Sequence, residues 1–172
     1  MARAIIVLLF FLWQPAMAAD PEWGLAFARG TESKETDILK LTYRHPLKDN
    51  GAWWMPTYAQ LGASLWRVPD IRGTTQRFDV NATPVWRSDT SWGYVEGGIG
   101  LYLLSKTVNN DENRLPSSLE FGSHIGAGVR FGRSSSIGLA YQHLSNAGIK
   151  QPNGGINLIL VQYTLPIGKA EQ

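Results

Sequence analysis

The chain has no cysteine in its 172 residues. That excludes a disulfide framework, a cysteine-ligated metal centre and thiol catalysis. Charge is also scarce. Charged residues make up 17% of the sequence, where soluble domains carry roughly 25%. The formal net charge is only +2, and the basic residues are scattered, so nothing here forms a footprint for nucleic acid. Long hydrophobic runs are missing as well. The mean hydropathy is −0.16, and the run from Ala4 to Trp13 is shorter than the about 20 residues a helix needs to cross a bilayer. A polytopic helical membrane protein is thereby excluded. There is no convincing helical period, no internal repeat, no low-complexity tract and no linker. What is plentiful is apolar and small: 44% hydrophobic residues, 18 glycines and seven tryptophans. A chain with this aromatic content and so little charge folds rather than staying disordered.

The N-terminus reads as an export signal. Arg3 supplies the positive end, Ala4 to Trp13 the apolar stretch, and Ala16-Met17-Ala18 the small-residue cleavage pattern. Residues 1–18 are therefore expected to be cleaved, leaving 19–172 to work outside the cytoplasm as one domain.

That remainder alternates with period two, the signature of strands. Trp23, Leu25 and Phe27 share a face, as do Leu39, Leu41 and Tyr43. The pattern recurs in Leu61, Ala63 and Leu65, then in Phe78, Val80, Ala82, Pro84 and Trp86. It continues in Val95, Ile99, Leu101 and Leu103, in Phe121, Ile125, Ala127, Val129 and Phe131, in Ile137, Leu139 and Tyr141, and in Ile159, Val161 and Tyr163. Eight strands result, apolar on one face and small, polar or charged on the other. Alternation alone is equally consistent with a soluble sandwich, a calyx with its apolar face inside, or a barrel with its apolar face outside. Two features favour the last. The polar face carries many glycines and charges, which suits a narrow filled interior. Tyr43, Trp53, Trp54, Tyr58, Trp86, Trp92 and Phe131 gather beside one set of turns, as in the aromatic girdle of outer-membrane barrels. Connections after strands four and six are tight, and those after three, five and seven are longer and polar. The expected fold is all-β: an eight-stranded antiparallel transmembrane β-barrel with both termini on the periplasmic side.

Several other groups have ordinary readings. Glu120 and His124 belong with Lys40, Arg44, Asp79, Arg87, Glu96 and Arg130 in an interior charge network. His45 precedes Pro46 in a turn. Asn109-Asn110-Asp111-Glu112 fits no EF-hand spacing. Gly97-Gly98-x-Gly100 is not followed by a helix, so it is no nucleotide loop; these glycines let bulky inward groups pass.

The segment that carries chemistry is His143-Leu144-Ser145-Asn146-Ala147-Gly148, followed by Pro152-Asn153. His143 and Ser145 are two apart on a strand and share a face, the lipid-facing face of Leu139 and Tyr141. Polar groups are costly there without a purpose. With this core the chain resembles the PagL family of outer-membrane lipid A 3-O-deacylases, best from about Phe121 to Ile167. The resemblance implies a serine esterase on the outer barrel wall of the bacterial outer membrane, with lipid A of lipopolysaccharide as partner in the outer leaflet. It places the nucleophile on Ser145, the general base on His143, and oxyanion donors on the Asn146 side chain and the Gly148 backbone N–H. The family's triad acid, a Glu, falls on Asn157. An amide can orient the imidazole, as in Cys-His-Asn proteases, but it cannot offset imidazolium charge. Asn157 therefore keeps open a non-catalytic outer-membrane barrel, structural, adhesive or lipid-binding, as the alternative. No cofactor or metal is required by either reading, and homodimerisation is left open.

Overall fold

The computed structural model describes residues 20–32, 36–47, 54–70, 73–109, 114–132, 135–151 and 153–167. The expected leader 1–18, Trp53 of the expected girdle, Pro152 of the motif and residues 110–113 lie outside the described residues. Ten strands form among those described: β1 (Glu22–Gly30), β2 (Asp37–Pro46), β3 (Tyr58–Asp70), β4 (Gly73–Asp89), β5 (Gly93–Leu104), β6 (Val108–Asn109), β7 (Arg114–Leu115), β8 (Leu119–Phe131), β9 (Ser135–Ser145) and β10 (Ile156–Pro166). Eight of them close a barrel in the order β1-β10-β9-β8-β5-β4-β3-β2, all antiparallel. The short pair β6–β7 is a hairpin in the β5–β8 connection.

The apolar face points outward. Leu65, Ile99 and Ile125 are each more than 60% exposed, and Leu25, Leu41, Leu103, Leu139 and Ile159 stand on the same outer wall. So much exposed apolar surface on a continuous belt suits lipid rather than water. The closed ladder satisfies strand backbone groups without an edge, as a bilayer demands. Pro84 has no N–H for the ladder, and the recorded β4–β5 pairs step from Ala82↔Leu101 to Val85↔Gly98 across it.

One end holds the start of β1, the end of β10 and the aromatic belt, and there the Ile167 N–H donates to the Pro21 carbonyl at 2.7 Å. Trp23 packs on Tyr43 with centroids 5.2 Å apart, Phe131 on Tyr163 at 6.1 Å, and the Trp86 indole donates to the Trp54 carbonyl at 3.0 Å. Tyr58 departs from the expected girdle: it is buried, and Arg87 lies over its ring. Tyr58 starts β3 with the inward parity of Gln60, so it faces the interior.

That interior has two zones. Toward the terminal end, Arg44 grips Glu96 with two bonds of 2.9 Å, Arg87 grips Glu22 at 2.9 and 3.0 Å, and Gln162 donates to Glu96 at 2.9 Å. Arg130 reaches Asp89, which also pairs with Arg87. The other expected members stand apart from this cluster. Lys40 donates to the Tyr102 hydroxyl, Asp79 accepts from Trp66 and Asn81, and Glu120 accepts from Ser117. His124 passes close over Gly98, where an added Cβ would lie 2.6 Å from its Cε1. Toward the opposite end the inward face turns apolar. Ile38, Trp66, Val68, Leu104, Leu144, Ile156 and Leu158 meet Val108 and Leu115 of the hairpin in one buried cluster. Val108 and Leu115 of the hairpin thus pack this half of the interior with side chains.

The connection after β3 is shorter than expected. β3 and β4 keep pairing out to Asp70↔Gly73, so what read as a long loop is two extended strands.

Candidate active site

β9 and β10 run side by side at the end away from the termini. Their register sets Asn157 directly opposite His143, and β8 sets Phe121 opposite Ser145. Strand parity then decides which way each side chain faces. Leu144, Ile156 and Leu158 turn inward into the apolar plug and are essentially fully buried. Their neighbours His143, Ser145 and Asn157 turn outward and are half-buried. The plug thus anchors the strand ends that present the polar trio to the outer wall. The interior cavity lined by Lys40, His124 and Gln142 includes none of the three.

His143 Nδ1 and Asn157 Oδ1 are 2.7 Å apart. An amide oxygen only accepts, so Nδ1 carries the proton and Nε2 keeps its lone pair. The Asn157 amide is engaged at its other end too: Nδ2 donates to Glu32 Oε1 at 2.9 Å. Glu32 lies in the β1–β2 connection, where the Thr31 N–H donates to the Asn157 carbonyl at 2.9 Å. Neither residue stood out in the sequence. No local pattern links positions 125 apart; barrel closure, which pairs β1 with β10, brings them together.

Gly155 is a third residue to which the sequence assigns no role. Its φ is +69°, and an added Cβ would stand 2.8 Å from His143 Cε1 and 2.9 Å from the Leu144 carbonyl. The backbone therefore lies directly against the imidazole. A glycine immediately before the strand that carries Asn157 is the signal that could have marked it.

The loop after Ser145 is tightly built. Asn146 is fully buried. Its backbone N–H donates to Asn153 Oδ1 at 3.2 Å, its Nδ2 to the Lys150 carbonyl at 2.9 Å, and its Oδ1 accepts from the Gly148 N–H at 3.0 Å. The two expected oxyanion donors are thus brought together, and each has a partner within the loop. Ala147 sits between them with φ 54°. A non-glycine residue in that region costs of order 1–3 kcal/mol and persists where its surroundings hold it, often at functional sites.

The arrangement can do acid–base chemistry on a lipid-facing wall: an imidazole with its lone pair free, a hydroxyl two residues on, and a strained turn with backbone N–H groups beside it. The family model described as lipid A 3-O-deacylase (PagL) matches residues 37–166. The chain is 41% identical over 106 residues to lipid A deacylase PagL of Bordetella bronchiseptica, a match covering 61% of this chain and 59% of that protein. It is 34% identical over 126 residues to lipid A deacylase PagL of Pseudomonas aeruginosa, covering 67% and 71%. The aligned stretch thus spans less than two thirds of the Bordetella relative. Among solved structures, the barrel is similar to the crystal structure of the outer membrane enzyme PagL, with a TM-score of 0.70 and 29% identity over 85% of this chain and 99% of that one.

Proposed function

This chain belongs to the lipid A 3-O-deacylase (PagL) family, and from that premise we propose that it is a serine esterase of the bacterial outer membrane that removes the 3-O-linked 3-hydroxyacyl chain from lipid A. The observation that carries the proposal is the 2.7 Å contact between His143 Nδ1 and Asn157 Oδ1 on the lipid-facing wall. It supports an imidazole poised as a base although the family's acid is an amide here.

His143 Nε2 takes the Ser145 hydroxyl proton as Oγ attacks the ester carbonyl. The carbonyl electrons move to oxygen and return as the bond to the glucosamine 3-oxygen breaks, and His143 gives that oxygen its proton. Water, giving a proton to the same imidazole, then attacks the acyl carbon; the bond to Ser145 Oγ breaks, His143 returns the proton to Oγ, and the 3-hydroxy acid leaves. The Gly148 N–H is the proposed oxyanion donor at the exposed turn; a charged oxygen is a stronger acceptor than the Asn146 amide oxygen it replaces. Asn146, the second proposed donor, also holds the turn through Lys150 and Asn153. The outward orientation of the trio lets lipid A reach the site from within the outer leaflet.

Mass spectrometry of lipid A tests the proposal, in a host whose own lipid A keeps its 3-position acylated. The wild-type protein should lower the lipid A mass by one 3-hydroxyacyl group. Ser145→Ala and His143→Ala should leave the mass unchanged while retaining the heat-dependent gel mobility of a folded barrel. An unchanged mass with folded wild-type protein would remove the esterase assignment in favour of a non-catalytic barrel.

A further inference from the structure

We propose that Glu32 is a positioning residue of this site: its carboxylate holds the Asn157 amide in the one orientation that leaves His143 able to act as a base. The proposal rests on the esterase reading above and adds to it a residue from a distant loop.

The reasoning starts from the difference between a carboxylate and an amide. Both oxygens of a carboxylate accept, so a glutamate beside Nδ1 fixes the useful tautomer whichever way it turns. An asparagine side chain has two nearly isosteric orientations. With Oδ1 toward His143, the ring proton sits on Nδ1 and Nε2 can take a proton from Ser145. With Nδ2 toward His143, Nδ1 must accept, the proton moves to Nε2, and the base is lost. An amide in this position works only if something selects its orientation.

Glu32 makes that selection. An ionised carboxylate is acceptor-only, so it pairs with Nδ2 and turns Oδ1 to the ring. The contacts on the two ends of the amide are 2.9 Å to Glu32 and 2.7 Å to His143. A second and independent set of bonds brings Glu32 to this place. The Thr31 N–H donates to the Asn157 carbonyl at 2.9 Å, and the Thr31 hydroxyl reaches the same oxygen at 3.4 Å. This continues the β1–β10 ladder one step past Gly30↔Leu158. The Gly30 N–H, donating to the Thr36 carbonyl at 2.9 Å, closes the neck of the same loop. Glu32 also returns a negative charge to the triad, one amide further from the ring than the family's acid. When His143 becomes imidazolium, that charge is attractive, and at a lipid interface it is less screened than in bulk water.

The test is a double-mutant cycle on protein refolded in detergent, read as release of 3-hydroxy acid from purified lipid A, with the histidine tautomer as a second readout. Glu32→Ala should lower kcat by between about 10-fold and the about 10⁴-fold that a wrong tautomer costs a serine protease, with KM little changed. Glu32→Asp should recover part of the loss. In the Asn157→Glu background, Glu32→Ala should cost nothing, because a carboxylate has no wrong orientation. Nitrogen-15 spectra of labelled histidine, assigned with His143→Ala, should show His143 as the Nδ1–H tautomer in wild type and predominantly as the Nε2–H tautomer in Glu32→Ala. Equal losses in both backgrounds would make Glu32 merely a loop residue and overturn the proposal. So would an unchanged tautomer in Glu32→Ala. A folded wild type that releases no acid sinks the esterase reading, while the spectra still decide the role of Glu32.

Discussion

Gly155 leaves the room that the His143 ring occupies. Its backbone lies against the imidazole with φ +69°, and an added methyl would meet Nε2 at 3.3 Å as well as the Leu144 carbonyl, which is backbone and cannot swing away. Gly155→Ala must therefore push the ring outward, strain the turn, or both. A strained substitution of this kind costs about 1 kcal/mol of stability or somewhat more, which a closed barrel tolerates. A displacement of about 1 Å of a catalytic group can cost on the order of 10²-fold in rate. The expected outcome is a barrel with normal heat-dependent mobility and a kcat reduced about 100-fold, measured as acid release from lipid A. A rate within twofold of wild type would show that the ring does not depend on this contact. The shared face of His143 and Ser145 was legible from sequence, because period two fixes it; Asn157 was reached only through the family resemblance, and the register that sets it opposite His143 belongs to the fold. Gly155 and Glu32 were not, since a close approach and a cross-seam hydrogen bond leave no periodic trace.

Strands β9 and β10 illustrate how an element can serve two faces. Residues 143, 145 and 157 look to lipid, and 144, 156 and 158 look into the plug made with Val108 and Leu115. The expectation of a uniformly small or polar inner face fails in this half. The reason is the β6–β7 hairpin, whose Val108 and Leu115 pack onto these residues and give their apolar side chains buried partners. The third connection was misread for a related reason: polar residues at a strand's outer end resemble loop, although the ladder continues through Asp70↔Gly73. The plug should matter to the site. Leu144→Ala removes a fully buried side chain between His143 and Ser145 in the strand. Leu→Ala changes in cores cost about 2–5 kcal/mol. The urea midpoint of the refolded protein should fall accordingly, and kcat should fall with it because the strand end loses its inward anchor. The same truncation at lipid-facing Leu139, on the outer face of β9, should leave kcat near wild type. Equal kinetic effects at the two positions would argue that the plug does not hold the site.

At the scale of the whole molecule, closure does two jobs with one seam. Pairing β1 with β10 completes the ladder, and it brings Thr31 and Glu32 to the Asn157 side of the site. The interior charges then secure the opposite half. Arg44 and Glu96 have side chains 4% and 0% exposed, and Arg87 is stacked on the Tyr94 ring at 3.8 Å while holding Glu22. Burying such charges is costly, and breaking a buried pair by removing one partner typically costs about 3–5 kcal/mol because the other is left uncompensated. Glu96→Ala deprives Arg44 of two hydrogen bonds and Gln162 of one. It should lower the urea unfolding midpoint by an amount equivalent to about 3–5 kcal/mol. Removing both partners with Arg44→Met and Glu96→Leu leaves the Arg87–Glu22 pair in place, and such apolar replacements are often neutral or stabilising by about 1–4 kcal/mol. The double variant should therefore unfold later than Glu96→Ala. Because the network lies at the terminal end and the trio at the other, acid release per folded molecule should match wild type in both variants. A loss of turnover in the stable double variant would show that the ion network reaches the site through the barrel, not merely that it holds the barrel together.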